Sequence, residues 1–194
     1  QVVKFRLSDG TLMQMEVIFI ALDKPEDVKK LLSLECTWIW FNEAREIERE
    51  IVDAGTARVG RYPSVKDRPD DLPEDENWPT FSGIIMDTNP PDDEHWWYRS
   101  AEQDDWRRDA ESGALTPLDQ IPDGMRWEFW NQPSGKSAEA ENVHNLPSGY
   151  YDKISVGKTV EWVNVYVHGR YGFVMDGLPV YRNSYNPKIH LADT

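Results

Sequence analysis

Apolar residues in this chain fall into short runs with abrupt polar ends. Residues 2–7 alternate apolar and polar, Ser8-Asp9-Gly10-Thr11 supplies an Asp-Gly turn, and residues 12–22 resume a strand-like pattern. That order predicts a β-hairpin. Asp23-Lys24-Pro25-Glu26-Asp27 places a proline and acids where a helix starts, and Val28, Leu31, Leu32 and Leu34 give that helix an apolar side. Thr37-Trp38-Ile39-Trp40-Phe41 is compact and apolar and stops at Asn42-Glu43. Such a run predicts a strand buried on both faces, as in a parallel sheet. Ala44, Ile47, Ile51 and Val52 then recur at helical spacing, with Glu and Arg outside, which predicts a helix from Glu43 to about Ala54.

Residues 64–79 are rich in proline and acids and predict an irregular surface loop. A second buried strand is expected over 82–87, ended by Asp87-Thr88-Asn89-Pro90-Pro91, where the double proline forbids continuation. Asp92-Asp93-Glu94 predicts the acidic start of a helix running to about Ala101. Residues 100–122 are polar and broken, Met125–Trp130 predicts a strand, and Ser134–Asn145 predicts a mobile excursion. Tyr150–Tyr166 has helical capacity, with Ile154, Val160, Val163 and Val167 as its buried side. Gly169–Asn186 is punctuated by Gly and Pro, with short strands expected at 173–175 and 180–181, and no internal repeat is evident. Two buried strands that deliver polar groups to one edge point to an α/β domain that handles nucleotides, because parallel sheets bind ligands beyond their carboxyl ends.

Charge narrows the partners. At 194 residues the chain can bury a real core, and its formal net charge of −14 argues against a general nucleic-acid-binding surface. Arg45, Arg49, Arg58, Arg61, Lys66 and Arg68 form either a local basic patch or a solvated face of mixed charge. A single cysteine, Cys36, excludes an internal disulfide and a cysteine-based zinc site, and reads as a small buried residue. No apolar run reaches membrane-spanning length and no signal-peptide pattern is present. The strand-like pattern begins directly at Gln1, which suggests a piece of something longer. Trp96-Trp97-Tyr98, Trp127 with Trp130, and Trp162 read as core or interface anchors, with stacking on bases as the alternative.

A P-loop nucleotidase needs a Gly-rich loop ending in Gly-Lys-Ser/Thr, an acidic strand end for magnesium and water, and a sensing group on a neighbouring strand. Asn42-Glu43 suits the second part and Thr88-Asn89 the third. Gly157-Lys158-Thr159 imitates the first but has Asp152 where the motif requires glycine, and no buried strand precedes it. It is a decoy. The segments Trp38–Glu46, Arg58–Ser64, Ile85–Pro91 and Tyr166–Gly172 stand in the same order as in the large terminase subunits of tailed bacteriophages, and over nearly its whole length the chain resembles that family.

The resemblance implies a partial P-loop NTPase-like (ASCE) fold, a mainly parallel sheet flanked by helices with a small lid subdomain. Residues 1–124 would be the later portion of the ATPase core and 125–194 the lid leading to a nuclease domain. It implies a motor that couples ATP hydrolysis to translocation of double-stranded DNA in the host cytoplasm, with ATP and Mg²⁺ as cofactors and the portal protein and small terminase subunit as partners. Glu43 matches the water-orienting glutamate, and Thr88 and Asn89 match the coupling motif. Asn42 stands where many relatives carry a magnesium-associated aspartate. A carboxamide brings no charge, so Asn42 would meet magnesium weakly, through water. The phosphate loop would lie upstream of Gln1 and the nuclease aspartates beyond Thr194, so this stretch alone is expected neither to hydrolyse ATP at a useful rate nor to cut DNA. An edge left by missing strands would favour a homo-oligomer.

Two rival readings belong to other classes. One is a non-catalytic acidic module that docks a partner through exposed tryptophans. The other is a metal-dependent nuclease centred on Asp87, Asp92, Asp93, Glu94 and His95, against which stands the ordinary preference of acids for a helix start. The motor reading requires Glu43 and Thr88-Asn89 to meet at one edge of a single sheet. The nuclease reading requires the carboxylates to share one ion.

Overall fold

The computed structural model describes residues 1–22, 24–71, 73 and 81–172. The chain divides into two compact units, Gln1–Thr88 and Asn89–Thr194.

In the first unit, β1 (Val2–Arg6) and β2 (Leu12–Glu16) pair antiparallel, with Val3 opposite Met15 and Phe5 opposite Met13. Asp-Gly drives the turn as expected: Gly10 adopts φ 91°, and the Thr11 amide donates to the Asp9 carboxylate at 2.8 Å. The second strand ends at Glu16 rather than 22. A 3₁₀ turn over Pro25–Asp27 leads into the short helix α1 (Val28–Leu32).

The parallel pair follows. Strand β3 (Trp38–Phe41) lies beside β4 (Gly83–Met86) in the register Trp38–Gly83, Ile39–Ile84, Trp40–Ile85 and Phe41–Met86. Between them the chain forms α2 (Arg49–Thr56). Ile51, Val52 and Gly55 are its buried positions, and with Leu31, Phe41 and Ala44 they make the core of this unit. Helix and strand approach closely at Gly55, where an added Cβ would stand 2.9 Å from the Phe41 ring and 3.4 Å from Ile39 Cδ1.

Two expectations need correction here. The run 37–41 is buried on one face only. Ile39 and Phe41 turn toward α2, while Trp40 stays 59% exposed and its neighbour Ile85 52%. The alternation of period two thus outranks the continuous apolar run. The helix expected from Glu43 is also broken. A 3₁₀ turn covers Ala44–Glu46, Ile47 is extended, and α2 begins only at Arg49. Of the loop expected over 64–79, residue 72 and residues 74–79 lie outside the described residues; a 3₁₀ turn covers Val65–Asp67, closed by Ser64 and Asp67 bonded reciprocally to each other's amide region.

The close packing at Gly55 gives a test. Alanine has the better helix propensity by about 1 kcal/mol, yet a rigid ring and a strand block its methyl, and overpacking costs about 1–3 kcal/mol. Gly55→Ala is expected to lower the urea midpoint; a higher midpoint would show that Phe41 can yield.

In the second unit, α3 spans Trp96–Gln103. Its start differs from the expected one. Asp92, Asp93 and Glu94 precede the helix, Asp92 accepts the Glu94 amide, and the His95 ring caps α3 by accepting the Trp97 N–H at 3.0 Å. Asp104, with φ 57°, ends it. A turn follows in which Arg108 bridges Leu115 and the Asp109 carboxylate accepts the Ser112 hydroxyl at 2.7 Å and the Ser112 amide at 2.8 Å.

Those bonds hold the Asp109 carboxyl below its usual range, the Ser112 hydroxyl contributing most. A lowered folded-state value means the turn is stabilised above the ordinary aspartate range and loosens as pH falls through the folded value. The Ser112 amide resonance is expected to titrate with a midpoint below 3.8, the ordinary aspartate value. A midpoint at or above that value would refute the bond.

The strand expected over 125–130 is absent, although burial alternates along residues 126–130. Trp127 and Phe129 are half-buried, while Arg126, Glu128 and Trp130 are exposed. Rings do the holding: Trp127 stacks on Trp106 at 6.5 Å and 12°, and Phe129 meets Trp97 edge-on at 5.9 Å. Trp127 thus has Trp106 and Phe129 as ring partners. The helix expected over 150–166 is two helices, α4 (Tyr150–Ser155) and α5 (Val160–Tyr166), parted at Gly157 with φ 73°. The start of segment 134–145 is tied down: the Gly135 amide donates to the Val167 carbonyl at 2.8 Å, and Ser134 Oγ lies 2.8 Å from His168 Nδ1. The strands expected at 173–175 and 180–181 lie outside the described residues.

Candidate functional site

The sheet of the first unit ends, at its carboxyl edge, in two polar segments. Beyond Phe41 stand Asn42 and Glu43; beyond Met86 stand Asp87 and Thr88. Pairing continues past the last strand residues. The Asp87 amide donates to the Phe41 carbonyl at 3.2 Å, the Ala44 amide to the Asp87 carbonyl at 2.9 Å, and the Arg45 amide to Thr88 Oγ1 at 3.1 Å. Glu43 and Thr88 are thereby brought to the same mouth. Asn89 is the first residue of the second unit, so the geometry of this mouth carries Thr88 without it.

Glu43 has φ 54° and ψ 53°. Glutamate has no intrinsic preference for this left-handed region, which costs an L-residue about 1–2 kcal/mol. Glu43 is half-buried, and Asn42 is exposed. Arg45, also at the mouth, directs its guanidinium Nε to Glu46 at 2.9 Å. Asp87 is engaged three ways: by its amide, by its carbonyl, and by its carboxylate, which accepts the Trp40 indole N–H at 2.6 Å. Sequence reasoning singled out Glu43 and Thr88 but missed the Arg45 and Ala44 amides. Backbone donors leave no signal in residue types.

The chemistry open to this arrangement is limited and specific. One carboxylate on a strained, doubly tethered turn is able to orient a water. No group of three or more His, Cys, Asp or Glu able to hold a metal ion occurs among the described residues. Asp92 and His95 are instead occupied with the Glu94 and Trp97 amides. A magnesium ion would need oxygens from elsewhere, such as a nucleotide's phosphates, with Asn42 reaching it through water. Asn42 would offer such an ion one uncharged carboxamide oxygen.

The Gly157-Lys158-Thr159 decoy lies between two helices. Lys158 Nζ sits 5.3 Å from the Trp162 ring, and the Thr159 hydroxyl accepts the Trp162 amide as the cap of α5. No strand feeds it, so it lacks the setting of a phosphate loop. Among the described residues no helix is long and apolar enough to cross a membrane. Compared with known proteins, the chain matches no family model, no curated protein and no solved structure.

Proposed function

We propose that this chain belongs to the ATP-hydrolysing motor of a large-terminase-like DNA-packaging protein, with Glu43 as the carboxylate that orients the attacking water. One observation carries the reading: Glu43 occupies a left-handed conformation just past the end of one parallel strand, and its turn is bonded to Thr88 at the end of the neighbouring strand. Strained residues of this kind persist where the surrounding structure over-determines them, as at catalytic sites.

Mg²⁺-ATP, when bound, supplies the γ-phosphate and neutralises its charge. Glu43 accepts a hydrogen bond from water, Thr88 steadies the turn that carries it, and Asn42 would hold magnesium only through water. Asn89 would join Thr88 as the coupling element. The finer fold of this reading is a partial P-loop NTPase-like (ASCE) core, with residues from 125 onward as the lid. Double-stranded DNA, a portal protein and a small terminase subunit are the proposed partners, in the host cytoplasm. The test is ATP hydrolysis by the full-length protein carrying Glu43→Gln, which is expected to collapse; an undiminished rate removes the reading.

The exposed face of β3 and β4, with Trp38, Trp40 and Ile85, favours the interaction module as the second reading. Under it, Glu43→Gln changes nothing and Trp40→Ser abolishes partner binding.

A further inference from the structure

We infer that Thr88 is a positioning residue that acts on Glu43 through the main chain of the turn after β3. The inference rests on the hydrolytic reading above and adds how the carboxylate is kept in place. The torsion ψ of Glu43 fixes the orientation of the peptide that follows it, and the amide of that peptide belongs to Ala44. The Ala44 amide donates to the Asp87 carbonyl at 2.9 Å, and the next amide, that of Arg45, donates to Thr88 Oγ1 at 3.1 Å. Both peptide units after Glu43 are thus pinned to the end of β4, and together they hold ψ at 53°.

The first of these bonds uses a carbonyl that every residue type provides. The second needs a side-chain oxygen at position 88. Without it the Arg45 amide loses its tether, and Glu43 is freer to relax into the right-handed or extended regions that glutamate prefers. The carboxylate would then leave the mouth while the strands remained paired. Asp87 adds a brace of its own, since its carboxylate takes the Trp40 indole N–H and its amide bonds to Phe41. The end of β4 therefore governs the conformation of a residue that lies on another strand. A shift of β4 along β3 would reach Glu43 through the Asp87 carbonyl and Thr88 Oγ1.

The experiment compares Thr88→Val, Thr88→Ser and Glu43→Gln in the full-length protein, by steady-state ATP hydrolysis and by hydrogen exchange at the Arg45 amide. Thr88→Val nearly keeps the shape and removes the acceptor. It is expected to lower kcat on the order of fivefold with KM unchanged, and to speed exchange at Arg45 by a similar factor. Thr88→Ser keeps the oxygen and is expected to restore both. If Glu43→Gln abolishes hydrolysis while Thr88→Val leaves kcat intact, the positioning role is overturned and the hydrolytic reading stands. If Glu43→Gln has no effect, the hydrolytic reading falls and takes the positioning role with it, whatever Arg45 exchange shows.

Discussion

Glu43→Gln in the full-length protein is expected to lower the rate of ATP hydrolysis by about 10²–10⁴-fold, the range typical for loss of a positioned general base. Nucleotide affinity and thermal midpoint should stay close to those of the parent. The carboxamide matches the carboxylate in shape and occupies the same backbone conformation, so any loss reports on proton acceptance rather than on folding. Glu43→Gly sharpens the result. Glycine enters the left-handed region without the penalty of about 1–2 kcal/mol that an L-residue bears, so this variant should be at least as stable as the parent while equally inactive. A protein that loses activity and gains stability at one position would display the trade-off expected where strain serves chemistry. Full activity in both variants would leave the mouth without a catalytic role.

Phe41→Ala is expected to destabilise the first unit by about 3–5 kcal/mol, read from chemical denaturation. Phe41 is 2% exposed and its ring lies against the backbone of α2 at Gly55. Because no side chain at Gly55 can move into the space, the cavity would stay largely open, which places the cost toward the upper part of that range. The neighbouring Ile39 also reaches Gly55, so Ile39→Val, with one methylene less, should cost only about 0.5–1.5 kcal/mol. A loss below 1 kcal/mol for Phe41→Ala would mean that α2 collapses onto the strand and that the core is softer than its burial indicates.

Much of the first unit was legible because its signals are local. Asp9-Gly10 announced the hairpin, Asn42 and Pro90-Pro91 marked where apolar runs had to stop, and those stops set Glu43 and Thr88 at one edge. What failed were inferences that depend on the neighbours of an element. Trp38-Ile39-Trp40-Phe41 is apolar throughout, yet only Ile39 and Phe41 meet a helix, so apolarity alone overstated the burial. Met125–Trp130 reads as a strand, but pairing needs a partner strand, and ring contacts of Trp127 and Phe129 take that place. Glu43 in the left-handed region could not be anticipated from glutamate itself, because the two bonds that pin the following peptides come from the end of the neighbouring strand. The acids at 92–94 looked like a helix start; the ring nitrogen of His95 proved the better acceptor for the first free amide.

The parallel pairing of β3 with β4 has a consequence for synthesis. The β1–β2 hairpin closes across a five-residue connection, Leu7 to Thr11, so it can form as soon as its own residues emerge from the ribosome. The mouth cannot, since Phe41 finds Met86, and Arg45 finds Thr88, only after the whole intervening crossover has been made. Such long-range joining is slow and leaves apolar strands uncovered in the meantime. The nascent chain therefore passes through a stage in which Trp40 and Phe41 are translated but unmatched, and a chaperone that binds short aromatic stretches would find its target there.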